Sequence, residues 1–170
     1  MSGIAEGRLR EERKTWRKDH PFGFVARPAR LPDNSTDLMN WDVTIPGKAG
    51  TMWEGCEFSL TMKFTGDYPA TAPIVSFVPV LWHMNVWSSG RICLNLLNAA
   101  DGTWHGQWSP SITIKQILMA IQELLANPFP AGARPDVEKL WRADRPAYDA
   151  RLAREADLYR KRAPEITVIE

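Results

Sequence analysis

Cysteine is scarce in this chain: only Cys56 and Cys93 occur among 170 residues, and they form no Cys-x-x-Cys pair. With three histidines beside them there are too few ligands at suitable spacing for a structural zinc site, and a disulfide scaffold is equally unsupported. We therefore expect reduced thiols and no metal. Long apolar runs are missing as well. The opening Met-Ser-Gly-Ile-Ala-Glu-Gly-Arg has no signal-peptide core, and no later stretch nears the roughly eighteen apolar residues of a membrane span. The chain reads as soluble and intracellular, with neither a membrane nor a nucleic acid among its partners. An excess of charge of one sign is the third absence, the formal net charge being +1.

What is present fits one globular domain: hydrophobic residues make up 44% of the chain and charged residues 24%, enough for a substantial core without a disordered composition. The small net charge hides an uneven distribution, +4 over residues 1–30, −4 over 31–133 and +1 over 134–170. The first thirty residues thus read as a basic docking surface.

Ser2 can cap a helix running to about Lys18, in which Ala5, Leu9 and Trp16 share one face. Arg10, Arg13, Lys14 and Arg17 cluster beside that face, either as a docking patch or as a solvated helix side. His20-Pro21 stops the helix, because a residue before proline is pushed out of the helical region. Alternation and turn residues then predict four strands, at 22–27, 38–45, 56–64 and 73–78. A long loop at 98–110 leads to a helix starting at Thr113, where Gln116 can complete a capping box. Ile114, Ile117, Leu118, Ile121, Leu124 and Leu125 form its apolar stripe. A short helix over 135–141 and a longer one over 144–162, with Tyr148, Leu152 and Tyr159 on one side, complete the order. The fold class is α+β: an N-terminal helix, a four-stranded antiparallel meander, an active-site loop and C-terminal helices. The domain is expected to span 1–163, with 164–170 as a tail.

Between strands and helices lies the run His83-Met-Asn-Val-Trp-Ser-Ser-Gly-Arg-Ile-Cys-Leu-Asn-Leu-Leu97, which sets Asn85 eight residues before Cys93. A lone Cys between Ile92 and Leu94 is ordinarily a small buried hydrophobe, and Asn85 alone is a turn former. Together they supply a nucleophile and a neutral donor able to steady an oxyanion, which suffices for acyl transfer through a thioester. Ser88-Ser89-Gly90 places a bend just ahead of the thiol. His83 is the only obvious general base in the run.

This order resembles the ubiquitin-conjugating enzyme family, and within it the branch that conjugates SUMO. The likeness covers about residues 2–128. It is carried by the opening Met-Ser-Gly-Ile-Ala, Arg13-Lys-Thr-Trp-Arg-Lys-Asp-His-Pro-Phe-Gly-Phe24, Leu38-Met-Asn-Trp41, Ile45-Pro-Gly-Lys48, Trp53-Glu-Gly55, Asp67-Tyr-Pro69 and Ile112-Thr-Ile-Lys-Gln-Ile-Leu118. The resemblance implies that Cys93 accepts the C-terminal glycine of SUMO as a thioester from an activating enzyme and passes it to a substrate lysine, with Asn85 stabilising the oxyanion. It implies that Arg13, Lys14, Arg17 and His20 bind SUMO and the activating enzyme, that Trp87, Ser89 and Arg91 border the acceptor-lysine pocket, and that ligases and substrates are the other partners. No cofactor is expected, since the activating enzyme uses the ATP, and the location implied is nucleus and cytoplasm.

Several positions depart from the branch. Met84 stands where the family has proline, which frees a torsion and adds an amide donor. Trp87 replaces a tyrosine, and Ile74 and Ser76 stand where basic residues read an acid near the target lysine, so that Arg91 is left to supply that charge. The loop 98–108 is longer than usual and looks like an insertion of some large ubiquitin-conjugating enzymes. The acidic residue of the branch falls on Gly132 without gaps, which makes Asp136 the candidate replacement. Two rivals therefore stay open: conjugation of ubiquitin or another modifier, and a non-catalytic module that displays SUMO or ligases.

Overall fold

The computed structural model describes residues 2–103 and 105–161. The expected cap by the Ser2 side chain, the domain boundary at 163 and the tail lie outside what is described. The elements run α1 (Ser2–Lys18), β1 (Val25–Arg30), β2 (Thr36–Pro46), β3 (Glu57–Lys63), β4 (Ile74–Phe77), a 3-10 turn (Asn95–Leu97), α2 (Ile114–Ala126), α3 (Pro135–Ala143) and α4 (Arg145–Tyr159). The strands form one antiparallel meander in sequential order, with Val43 opposite Leu60 and Met62 opposite Val75.

Alternation places Ala26, Trp41, Val43, Ile45, Phe58, Leu60, Met62, Val75 and Phe77 on the buried face. The six apolar residues of the α2 stripe cover that face and are all buried. Thr113 and Gln116 form the expected capping box, the Thr113 hydroxyl accepting from the Gln116 amide at 3.2 Å and the Gln116 side chain from the Thr113 amide at 2.9 Å. At its other end α2 is tied down by Trp53, whose indole N–H donates to Leu125 O at 2.7 Å.

One strand begins later than its pattern predicts. Residues 22–24 belong to a turn, closed by Phe24 N–H to Pro21 O at 3.2 Å and by Gly23 at φ 82°, so the first strand starts at Val25 rather than Phe22. Phe22 is fully exposed. The aromatic and β-branched composition of this stretch suits a strand, but the turn demanded by Pro21 and Gly23 prevails.

On α1, Ala5, Leu9 and Trp16 are buried as the periodicity requires, and Glu12 is buried among them at 6% exposure. Its carboxylate accepts from Arg8 Nε at 3.0 Å and from Ile114 N–H at 3.2 Å, while Arg8 donates to Pro110 O at 2.6 Å. A buried carboxylate is tolerable only when paired in this way, and here it satisfies one of the open amides at the start of α2. The far end of the 98–110 loop is thereby held against α1.

Helices α3 and α4 pack through Val137, Tyr148, Leu152 and Ala156, all buried. Pro135 opens α3 at a position where no amide hydrogen is needed, and Asp144 caps α4 by accepting from Ala147 N–H at 3.0 Å. The end of α4 is fastened to the start of β3 by Lys161 N–H to Gly55 O at 3.0 Å and by Cys56 Sγ donating to Ala156 O at 3.2 Å. Cys56 is thus a core residue at 3% exposure. Truncating the α2 stripe should be costly: Ile117→Ala is expected to lower stability by about 2–5 kcal/mol, read as a drop in urea midpoint with unchanged slope.

Candidate active site

Residues 86–92 fold back as a tight hairpin. Val86 pairs with Ile92, Trp87 N–H donates to Arg91 O at 2.9 Å, and Gly90 N–H donates to Trp87 O at 2.8 Å. The returning arm lies along β4, with Phe77 N–H to Gly90 O at 2.8 Å and Ile92 N–H to Val75 O at 2.9 Å. Gly90 is required twice over. Its φ is 91°, and a Cβ there would sit 2.6 Å from the Phe77 carbonyl. Cys93 follows where this pairing ends, half-buried and unbonded to any other cysteine.

The loop before the hairpin is anchored by buried side chains. Met84 is fully buried, so packing restrains position 84 in place of a proline ring. Asn85 is also fully buried, and its amide grips one residue by both ends: Nδ2 donates to Phe129 O at 2.7 Å and Oδ1 accepts from Phe129 N–H at 3.0 Å. Its backbone carbonyl accepts from Cys93 N–H at 2.8 Å. Asn85 therefore joins the thiol's own backbone to the segment between α2 and α3. One of its two side-chain N–H groups is left over from the Phe129 pair.

His83 has no exposed surface, and burial drives its pKa down to about 4. Its Nδ1 accepts from Asn85 N–H at 3.0 Å and Nε2 faces Leu125 O at 3.4 Å, which assigns the hydrogen to Nε2. The one apparent base of the run is thus a neutral loop anchor.

Burial raises the pKa of the Cys93 thiol, the Arg91 guanidinium opposes that rise, and the Glu138 carboxylate adds to it. Arg91 is exposed and sits opposite Ser76 of β4, beside one of the positions where the sequence lacks a basic residue. Ser89 is exposed and Trp87 is 43% exposed, so both flank the thiol's hairpin on its solvent side. Asp136, the candidate acid, is paired within its own helix start. Its carboxylate forms a two-point pair with Arg134, at 3.0 and 2.8 Å, which holds its pKa below the usual range. The carboxylate whose charge reaches Cys93 is Glu138, two residues further along α3, held by the Gly132 amide at 2.6 Å. Sequence reasoning missed Glu138 because it sought an acid aligned to Gly132 along the chain, whereas the α3 turn brings the later residue back to that glycine.

The basic residues of α1 form a second group. Lys14 and Arg17 are exposed and Arg13 is half-buried, with Lys14 paired to Glu11 at 2.9 Å. His20 stacks on Trp16, ring centroids 5.3 Å apart, and its Nδ1 lies 2.8 Å from Trp16 O. It therefore closes the C-terminal turn of α1 as well as bordering the basic face. Among the described residues no cluster of three or more His, Cys, Asp or Glu side chains could hold a metal ion.

Two measurements follow from these environments. The unfolded His83 imidazole protonates near 6.5, whereas the folded site refuses the proton until about pH 4, so this contribution to stability is complete above 6.5 and is lost as pH falls toward 4. Between about pH 7 and about pH 5 it should cost roughly 2 kcal/mol, seen as a urea midpoint that falls less steeply with pH in His83→Gln. Iodoacetamide should modify Cys93 and spare Cys56 in the native protein, with Arg91→Gln slowing the reaction and Glu138→Gln quickening it by about two- to threefold at neutral pH.

The family model described as "Ubiquitin-conjugating enzyme" matches residues 8–156. Among curated relatives, the SUMO-conjugating enzyme UBC9 of Caenorhabditis elegans is 45% identical over 160 residues, which cover 94% of this chain and 93% of that protein. The SUMO-conjugating enzyme SCE1 of Arabidopsis thaliana is 49% identical over 159 residues, covering 93% of this chain and 96% of that protein. With its helix, four-stranded meander and C-terminal helices ordered around the Cys93 hairpin, the chain belongs to the ubiquitin-conjugating enzyme family.

Proposed function

We propose that this protein is a SUMO-conjugating enzyme whose nucleophile is Cys93. The observation that carries the reading is identity of 45% and 49%, across more than nine-tenths of the chain, to two proteins named SUMO-conjugating enzymes. The half-exposed thiol beside the Asn85 anchor supports it. Cys93 takes the C-terminal glycine of SUMO from the activating enzyme by thioester exchange, in which one carbon–sulfur bond replaces another and the donor thiol leaves. A substrate lysine, as its neutral amine, then attacks the thioester carbonyl, the carbon–sulfur bond breaks, an isopeptide bond forms, and the proton lost by the nitrogen is taken up by the departing Cys93 thiolate or by solvent.

The second step is the harder one. A lysine with an ordinary pKa of about 10.4 must shed a proton, and the crowded surroundings of Cys93 favour its neutral form. Glu138 draws the ammonium toward the thioester and takes the part first expected of Asp136, while the remaining N–H of Asn85 is available to the oxyanion. Arg91, beside Ser76, reads an acidic residue near the target lysine, and Trp87 and Ser89 border the entry. The α1 face of Arg13, Lys14, Arg17 and His20 docks SUMO and the activating enzyme. Ligases and substrates complete the partners in nucleus and cytoplasm, and no cofactor is required of this chain.

The long loop favours a second reading, with ubiquitin or another modifier as cargo. Its ends are braced by Gln107 N–H to Asn95 O and Trp108 N–H to Asn98 O, both at 2.9 Å. Incubation with ATP, each modifier and its activating enzyme separates the cases. SUMO should give a reductant-sensitive adduct that is lost in Cys93→Ala and kept in Cys56→Ala; a ubiquitin adduct alone favours the second reading, and no adduct with any modifier leaves a binding module. In single-turnover discharge to lysine, Glu138→Gln should slow transfer about tenfold or more, with Asp136→Asn changing it less than about twofold.

A further inference from the structure

Four polar or charged side chains are buried among the described residues: Glu12, His83, Asn85 and Glu155. The first serves the start of α2, and the next two hold the active loop. Glu155, on α4 and 4% exposed, has no part in the chemistry described so far. Its neighbours on the buried side of α4 are Tyr148, Leu152 and Ala156, so packing alone does not call for a carboxylate there. Burying one is costly unless it is paired and hydrogen-bonded.

The pairing of Glu155 points to the active loop. Oε1 accepts from Trp82 N–H at 2.8 Å, one residue before His83, and Oε2 accepts from Arg151 at 2.8 Å. The Arg151 guanidinium lies 4.7 Å from the centre of the Trp82 ring, whose other contact is Tyr148 at 5.8 Å. Backbone and side chain of Trp82 are thus held by two residues one turn apart on α4. Helix α3 packs on the same α4, and its N-terminal Arg134 is paired to Asp136. Arg134 is the N-cap residue of α3, the helix that carries Glu138.

We propose that Glu155 is a positioning residue for amine transfer, fixing the entrance of the Cys93 loop to α4, the helix on which α3 packs, so that the loop keeps a set place relative to α3 and Glu138. This rests on the function proposed above for its consequence in transfer, but the hold of Glu155 on the loop is the same whichever modifier is used. The positioning is of a kind in which small displacements lower the rate of transfer steeply while leaving substrate binding intact. Glu155→Gln keeps an acceptor for Trp82 N–H and loses the charge that pairs with Arg151. Glu155→Leu loses both.

The test is a double-mutant cycle read by iodoacetamide alkylation of Cys93 in the native full chain, with SUMO discharge as a second readout. If Glu155 sets this placement, the quickening of alkylation caused by Glu138→Gln should shrink to less than about half its size in Glu155→Gln or Glu155→Leu. Single-turnover discharge should fall about tenfold in Glu155→Leu and about threefold in Glu155→Gln, with thioester formation and the lysine concentration for half-maximal rate within about twofold of the parent. An undiminished effect of Glu138→Gln in both backgrounds overturns the proposal, as does a parallel loss of charging and discharge. Should Glu155→Leu fail to fold, Glu155→Gln reads the same quantities. A protein that takes no SUMO but shows the alkylation coupling would sink the functional reading and leave the positioning intact.

Discussion

The two-ended grip of Asn85 on Phe129 is the contact on which the arrangement of this site depends. A buried primary amide has to satisfy both a donor and an acceptor, and a single backbone residue offers both only when the two segments lie side by side. The pair at 2.7 and 3.0 Å therefore sets where the chain leaving α2 passes the thiol's loop. From that point follow the path to Gly132, the start of α3 at Pro135, and the hold of Glu138 on the Gly132 amide. The backbone bond from Cys93 to Asn85 closes the arrangement from the other side.

The surrounding polar groups show a common logic. His83 is held neutral by burial, so it offers one donor and one acceptor with no charge to solvate, as an anchor in a dry loop requires. Glu155 is charged but doubly paired, and Glu12 does for α2 what Glu155 does for the loop. With the backbone held from behind by these groups, the exposed side of the hairpin is left to Trp87, Ser89 and Arg91. Of the departures from the wider branch within the run, Trp87 lies on this exposed side, whereas Met84 is buried.

Much of this was legible along the chain. Period-two alternation located the four strands to within a few residues, because one face of the meander is buried by α2 and the other is not. The capping box at Thr113 and the stripe of α2 are local rules, and they read correctly for that reason. Trp41 and Trp53 are 1% exposed, and Trp108 is 7% exposed. What escaped was set by tertiary geometry. The Arg151-to-Glu155 spacing is visible as an ordinary surface ion pair, and nothing local says that the acid is buried beneath Trp82. Asp136 was the nearer acid by alignment, yet Arg134 two residues away pairs with it, while Glu138 is turned back to the Gly132 amide and its charge adds to the rise in the Cys93 pKa. Composition at Phe22 likewise favoured a strand where Pro21 and Gly23 impose a turn.

The hairpin at 86–92 has a further meaning for the life of the protein in a crowded cell. β4 is the last strand of the meander, and an uncovered last strand offers its open backbone groups to any extended chain that passes. The Gly90–Ile92 arm occupies those groups on Phe77 and Val75, so the segment that presents Cys93 also closes this edge of the sheet to another strand. A side chain at position 90, which Phe77 O leaves no room for, would open the strand edge along with the site. In such a variant the loss of the thiol's geometry and the loss of solubility would arrive together, and self-association would remove the damaged protein from the pool before its partners met it.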